Sequence, residues 1–291
     1  MTIAEPSRKT IDDAVAGRLS SVDQIIVLIQ PGIFNLSVRM LGNREDAADA
    51  TQEILLKVIT HRSTFRSDSA FATWVFRVAK NHLLTTLAKT QESPEVSLDG
   101  LYESLEAGLA LNEGLAQPFG GRTLQPDEKL EAKQIALGCT QKMLMSLDRN
   151  QRLSYVLDVV FGLSSVEAAA VLEISSDSHR QRVARARSRL DAFAATTCGL
   201  SSTSAKCSCD KQIPAVRQLR SREAVDTGHL MSVGQVEQSE VQRNFDALVR
   251  LGEASALIKA HPDYQAPQSM SAAIRSVLRM EGLFTGPPSL K

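Results

Sequence analysis

Aromatic residues are scarce in this chain, at 4% of the sequence with a single tryptophan, so a buried core has to come mainly from aliphatic side chains within a hydrophobic content of 43%. Cysteine is scarcer still. Four residues, at 139, 198, 207 and 209, are too few and too unevenly spread for a disulfide framework. No apolar run approaches the roughly 18 residues that cross a bilayer. The opening MTIAEPSRKTIDDA lacks the basic start and apolar stretch of a secretory signal, so no membrane span and a cytoplasmic location are expected. Neither a paired nucleophile and base nor a phosphate-cradling glycine loop stands out, and the expectation is that the protein is not an enzyme. Net charge is also missing, with 33 basic against 33 acidic side chains.

That neutrality hides an uneven distribution. Residues 91–131 carry nine acidic and two basic groups, whereas residues 132–195 carry nine basic and six acidic ones. Five of those arginines fall within SSDSHRQRVARARSRL, residues 175–190. An acidic stretch thus offsets a basic module.

Almost every long periodic stretch reads as helix, and no strand is convincing. Ile25, Ile26, Ile29, Ile33, Leu36 and Met40 recur at spacings of three and four, with Pro31 marking a kink or a fresh helix start. LGN at 41–43 supplies a glycine stop and an asparagine cap for a helix over 44–60, and a polar loop leads to a third helix over 70–89. Residues 91–127 read as a linker with at most short helical turns. Further helices are expected over 127–146, 149–161, 164–172 and 176–193, then over 234–260 and 268–281. The fold class is all-α: two small helical domains, at 1–90 and 128–195, joined by a flexible acidic linker and followed by a helical extension at 196–291.

Two short helices separated by Glu173, Ile174 and Ser175, the second of them basic, have the spacing of a helix-turn-helix whose second helix enters the DNA major groove. At 100° per residue His179, Val183, Ala186 and Leu190 form one stripe that should pack on Val166, Ala169, Ala170 and Leu172. His179 reads as a packed core residue. Arg182, Arg185 and Arg189 flank the stripe on one side, Arg180 and Arg187 on the other, and Asp177, Gln181, Ala184 and Ser188 lie opposite it. Such a helix can grip phosphates on both flanks and offer a small polar face to base edges. Ser175 or Ser176 fits as its cap.

GLSSVEAAAVLEISSDSHRQRVARARSRL resembles region 4 of the extracytoplasmic-function (ECF) group of bacterial RNA polymerase sigma factors, although Glu173 stands where that family usually has a glycine. LGNREDAADATQEILLKVI with FRSDSAFATWVFRVAKNHLLTTL is similar to region 2 of the same family. The resemblance implies a factor that binds polymerase core, at its clamp and flap, and directs promoter-specific transcription initiation; an anti-sigma partner is a further implied possibility. It implies minus-35 contacts at Ser178, Arg180, Gln181, Ala184 and Arg185, with Arg182 on the phosphate-gripping flank. It implies clamp docking by the acidic helix face of Asp46, Asp49, Gln52 and Glu53. Minus-10 capture would fall to Phe65, Arg66, Ser67, Asp68 and Ser69, with Arg77, Lys80 and Asn81 beside them. Rings at Phe65, Phe71, Trp74 and Phe76 and cations at Arg62, Arg66, Arg77 and Lys80 suit unstacked bases and backbone; Trp74 is equally at home in a core, and Phe76 leans that way. The acidic linker suits an RNA exit path or serves as a plain tether. The alternative reading is a stand-alone helix-turn-helix regulator with a metal- or redox-sensing extension.

Cys198, Cys207 and Cys209 are spaced C-x8-C-x-C directly after the basic helix. Three thiolates leave a tetrahedral zinc one ligand short, with His229, His261, Cys139 or a partner's group as the fourth, and thiol redox sensing or no special role are the other readings. No cofactor is required on this reading, zinc being the one candidate. Val241, Phe245, Leu248 and Leu251, then Ile274 and Leu278, form apolar stripes of a tail hairpin or of a lid over a DNA-binding module. If it is a lid, deleting 199–291 should raise promoter-dependent transcription.

Overall fold

The computed structural model describes residues 3–89, 97–222, 254–259, 261, 263–267 and 269–280. His229, Val241, Phe245, Leu248 and Leu251, and most of the helix expected over 234–260, lie outside them. The described residues are helical, without a strand.

Helix α1 spans Arg8–Val15 and is capped by the Ser7 hydroxyl, which accepts from the Thr10 amide. Helix α2, Leu19–Leu41, runs straight through Pro31, so the proline starts no new helix. The Val27 carbonyl that loses its partner to the proline belongs to an exposed residue, where water can serve it. By length and composition α2 is apolar enough to cross a membrane, against the sequence expectation. Ile25, Ile26, Ile29 and Ile33 are buried within the bundle, which makes it a core helix here. It ends at Gly42 in the left-handed region (φ 73°), where a Cβ would also meet the Met145 sulfur at 2.8 Å. Asn43 then caps α3, Arg44–Thr60, and α4 follows at Phe71–Lys89.

The linker is more ordered than its composition suggested. Ser97 caps a 16-residue helix, α5, over Leu98–Glu113, and Leu101 and Leu109 are buried. Helix α6 spans Pro126–Met145, with Arg122 and the Gln125 amide both held by the Glu128 carboxylate. Helix α7, Arg149–Tyr155, continues as a wider π-type turn to Val160. Ser164 and Glu167 cap α8, Ser165–Leu172, reciprocally. After the turn comes α9, Ser176–Thr197, then α10 at Ile213–Arg222, α11 at Ala254–Lys259 and α12 at Ser269–Met280.

Helices α2–α4 and α6–α9 share one hydrophobic core rather than standing apart on a tether. Phe76 of α4 meets Phe161 edge-on, with centroids 5.3 Å apart; such a pair contributes about 0.5–1.5 kcal/mol beyond the area it buries. The buried Arg152 guanidinium donates to the Met40 carbonyl (2.6 Å) as well as to Met145 and Leu147 (2.7 and 2.9 Å). Hydrogen bonds from a charged donor contribute about 1.5–3 kcal/mol each, so this one side chain ties the end of α2 to the α6–α7 corner.

The tail closes the same seam. Asn35 of α2 exchanges two hydrogen bonds with the Tyr264 backbone, at 2.9 and 2.8 Å. His261 lies buried between Thr140 of α6 and the Tyr264 hydroxyl, at 2.5 and 2.7 Å. Helix α12 packs on α3 with Ile274 and Leu278 buried, and Ser271 and Arg275 reach Gln30 and Asp23 of α2.

Candidate nucleic-acid interface and thiol cluster

Helix α9 carries the expected division of faces. The Ser175 hydroxyl accepts from the Ser178 amide and caps the helix. His179, Val183, Ala186 and Leu190 are buried, and Asp177, Gln181, Ala184 and Ser188 are exposed. The partner stripe differs in one place: Val166 is 69% exposed, and Ala168, Ala169, Val171 and Leu172 form the buried face of α8. Both ring nitrogens of His179 are buried without a hydrogen-bond partner among the described residues, which fits a packing role. Arg180 and Arg185 are exposed, Ser178 and Arg182 half-buried. Arg180 pairs with Asp177, and Arg187 is held by Asp158 at 2.7 Å.

Glu173 ends α8 in the left-handed region (φ 58°), a conformation that costs a non-glycine residue about 1–2 kcal/mol. Its carboxylate reaches the buried Lys80 ammonium of α4 at 2.5 Å, and the lysine holds the Glu173 carboxyl below the usual range. Arg77 Nε donates to the Ala170 carbonyl at 2.9 Å. Two of the cations read as facing minus-10 DNA are therefore engaged by the turn and helix of the second module. Asn81 stays exposed.

The loop before α4 holds Phe65 half-buried against Phe71 and Trp74, with centroids 5.2 and 5.7 Å away. Trp74 is half-buried, between its two readings, and Phe76 is buried. Arg66, Ser67 and Asp68 are exposed and Ser69 half-buried, with Ser67 at φ 61°. The segment around α1 crosses this loop, a contact that sequence reasoning missed. The Glu5 carboxylate accepts from the Phe71 and Ala72 amides at 2.6 and 3.0 Å, and Arg8 donates to the Ser67 hydroxyl at 2.5 Å. Arg62 serves the fold: it donates to the Ala14 and Ile59 carbonyls, and burial lowers its pKa. On α3, Asp46, Asp49 and Glu53 form an exposed acidic face and Gln52 is half-buried.

The four cysteines converge. Cys139 of α6, Cys198 at the end of α9, and Cys207 and Cys209 in the turn before α10 line one cavity of about 30 Å³. The Gly199 amide donates to the Cys207 carbonyl at 2.8 Å, and a Cβ on Gly199 would meet that oxygen at 2.4 Å. Burial pushes the Cys139 thiol up to about 12, with Cys198 and Cys207 adding to the rise. Burial likewise raises Cys209 and Cys207, and nearby cysteines contribute in both cases. Of the possible fourth ligands, His261 is excluded: both its ring nitrogens are hydrogen-bonded elsewhere, and burial, then Arg39, depresses its pKa to about 3. Cys139 is the residue that joins the cluster.

A three-helix unit with an acidic face is joined to a capped helix-turn-helix with an arginine-flanked second helix, a two-module arrangement suited to nucleic acid. Sigma-70 region 2 matches residues 26–92, and Sigma-70, region 4 matches residues 137–190. The chain is 30% identical over 195 residues to the ECF RNA polymerase sigma-E factor of Escherichia coli K12, covering 64% of this chain and 95% of that protein. It is 25% identical over 195 residues to the RNA polymerase sigma-H factor of Pseudomonas aeruginosa, with 66% and 95% covered. Among solved structures, CnrH in complex with the cytosolic domain of CnrY is similar at TM-score 0.43 and 21% identity, covering 64% of this chain and 95% of that one. The sigma factor RpoE in complex with the anti-sigma factor NepR from Bartonella quintana aligns at TM-score 0.39 and 19% identity, with 58% and 94% covered. The chain belongs to the ECF group of the sigma-70 family, the factors that bind RNA polymerase core and direct promoter-specific transcription initiation.

Proposed function

We propose that this sigma factor rests in a self-closed form in which region 4 and the segment around α1 occupy the surfaces that region 2 uses on promoter DNA, while the tail closes the seam between the two modules. The observation that carries the reading is the Lys80–Glu173 pair at 2.5 Å, next to the Arg77–Ala170 hydrogen bond. Minus-35 and minus-10 elements, by their names about 25 base pairs apart, are separated by about 85 Å of duplex at 3.4 Å per pair. A compact chain of this length has a radius of gyration of about 19 Å. With Phe76 packed on Phe161, the two modules cannot reach both elements, so promoter binding requires them to separate.

In the open form Arg77, Lys80 and Asn81 clamp the melted strand, and Phe65 to Ser69 hold an extruded base. Ser178, Gln181 and Ala184 meet minus-35 base edges while Arg180, Arg182 and Arg185 grip phosphates. Asp46, Asp49, Gln52 and Glu53 dock on the polymerase clamp, where complementary charge speeds encounter and sets register. The factor does no chemistry of its own, polymerisation belonging to the core enzyme, and it works in the cytoplasm. An anti-sigma partner, as in the RpoE complex with NepR, would add a second layer of control.

Run-off transcription with purified core enzyme tests the reading. A chain ending at Arg222, which keeps the cysteine turn and α10 but lacks the tail, should give more transcript than the full chain at equal concentration. Equal or lower yield rules out autoinhibition by the tail.

A further inference from the structure

We propose that Cys139, Cys198, Cys207 and Cys209 form a four-thiolate site for a thiophilic d10 cation of the zinc type. The inference is independent of the closed form proposed above. Four cysteines from three separate elements line one pocket, which is the composition of a structural zinc centre. The cavity, about 30 Å³, holds a single ion or water and little else. Among the described residues no group of three or more His, Cys, Asp or Glu side chains is placed so that it could hold a metal ion as it stands, so binding requires the sulfurs to move. Each cysteine has one side-chain torsion, χ1, with which to turn its sulfur from the cavity wall onto a common centre.

Three further observations suit the ion. The Gln212 side-chain amide donates to the Cys207 sulfur at 3.5 Å, the kind of outer-shell contact that orients a thiolate ligand. A divalent ion with four thiolates carries two excess negative charges, and Lys142 and Lys211 act electrostatically on Cys139 and Cys207 respectively. The Cys198–Cys207 bridge brings two ligands nine positions apart in sequence into backbone register, with Gly199 as the residue slim enough to pass. On binding, the ion displaces four thiol protons to solvent, and no electron is transferred.

The site would pin the C-terminal end of the DNA-reading helix to α6 and to the turn on which α5 packs. Metal would therefore act on the stiffness of region 4 and on the seating of the linker, at a distance from the base-reading face.

The full chain, purified anaerobically under reducing conditions with zinc added and then dialysed, should retain one zinc per chain by elemental analysis. Substituting cobalt(II) in the wild-type chain should give thiolate-to-cobalt charge-transfer bands and the d–d bands of tetrahedral coordination, a readout that needs no variant to fold. Each of C139S, C198S, C207S and C209S should weaken zinc retention at least tenfold against a competing chelator. C139S is the decisive variant, because Cys139 lies far in sequence from the other three. Sub-stoichiometric zinc without tetrahedral cobalt bands, zinc retention unchanged in C139S, or a Cys198–Cys207 disulfide in the anaerobic protein would each overturn the proposal.

Discussion

Ile274 is the side chain on which the closed form can be tested most cleanly. It is fully buried on α12, which packs on α3 and reaches α2 through Ser271 and Arg275, and it belongs to none of the DNA- or polymerase-facing sets. Exposing an isoleucine side chain costs about 1.5–3 kcal/mol in transfer alone, and truncating one in a core costs about 2–5 kcal/mol once the cavity is included. Ile274→Asp adds the desolvation of a carboxylate, so about 3 kcal/mol is a lower bound on the loss of docking free energy. At 1.4 kcal/mol per tenfold, the fraction of chains with the tail released should rise by about 100-fold. Limited proteolysis should show the tail of I274D cut faster, with the region 2 to region 4 body left intact. The same protein should bind core enzyme more tightly and give more run-off transcript than wild type. A tail that is released with no change in either measurement refutes the argument, because the tail would then be a passenger.

The helices of both modules were legible because their boundaries are written in local chemistry. Gly42 and Asn43 stop one helix and start the next, and Ser164 with Glu167 opens α8. The stripe of α9 follows from 100° per residue. What local chemistry does not encode is which surfaces meet. Leu98, Leu101 and Leu105 have helical spacing, but the core they pack on is built from other helices, and Gln212 beyond Cys207 holds the Leu105 carbonyl; composition alone makes the segment look like a tether. The convergence of Cys139 with residues some sixty positions away is likewise invisible in spacing. Glu173 was readable as a departure from the expected glycine, and its reason lies in Lys80, ninety-three positions away.

Gln181→Ala should change promoter preference with little loss of overall DNA affinity, whereas Arg182→Ala should weaken binding to all sequences alike and flatten its salt dependence, measured by anisotropy on a duplex panel. Glu173→Gly should relieve about 1–2 kcal/mol of left-handed strain yet remove the partner of Lys80, so the isolated region 4 melts higher while the full chain opens more readily; a full chain that stays closed counts against the latch. His261 is buried neutral with its pKa near 3, below the ordinary 6.5. Its contribution to tail docking is therefore complete above pH 6.5 and lost as pH falls from there toward 3. Between pH 7.5 and 5.5 the docking constant should drop about tenfold, about 1.4 kcal/mol, and His261→Gln should abolish that dependence in a proteolysis assay.

The closed form stands or falls on the separation of the two modules on a promoter. Fluorophores placed through non-natural amino acids at the exposed positions Gln24 of α2 and Asn150 of α7 avoid the DNA- and polymerase-facing sets and leave the four cysteines untouched. Single-molecule energy transfer should report a short, uniform distance in the free factor and an increase of tens of ångströms in the complex with core enzyme and promoter DNA. A free factor that is already extended, or a promoter complex that keeps the short distance, contradicts the account.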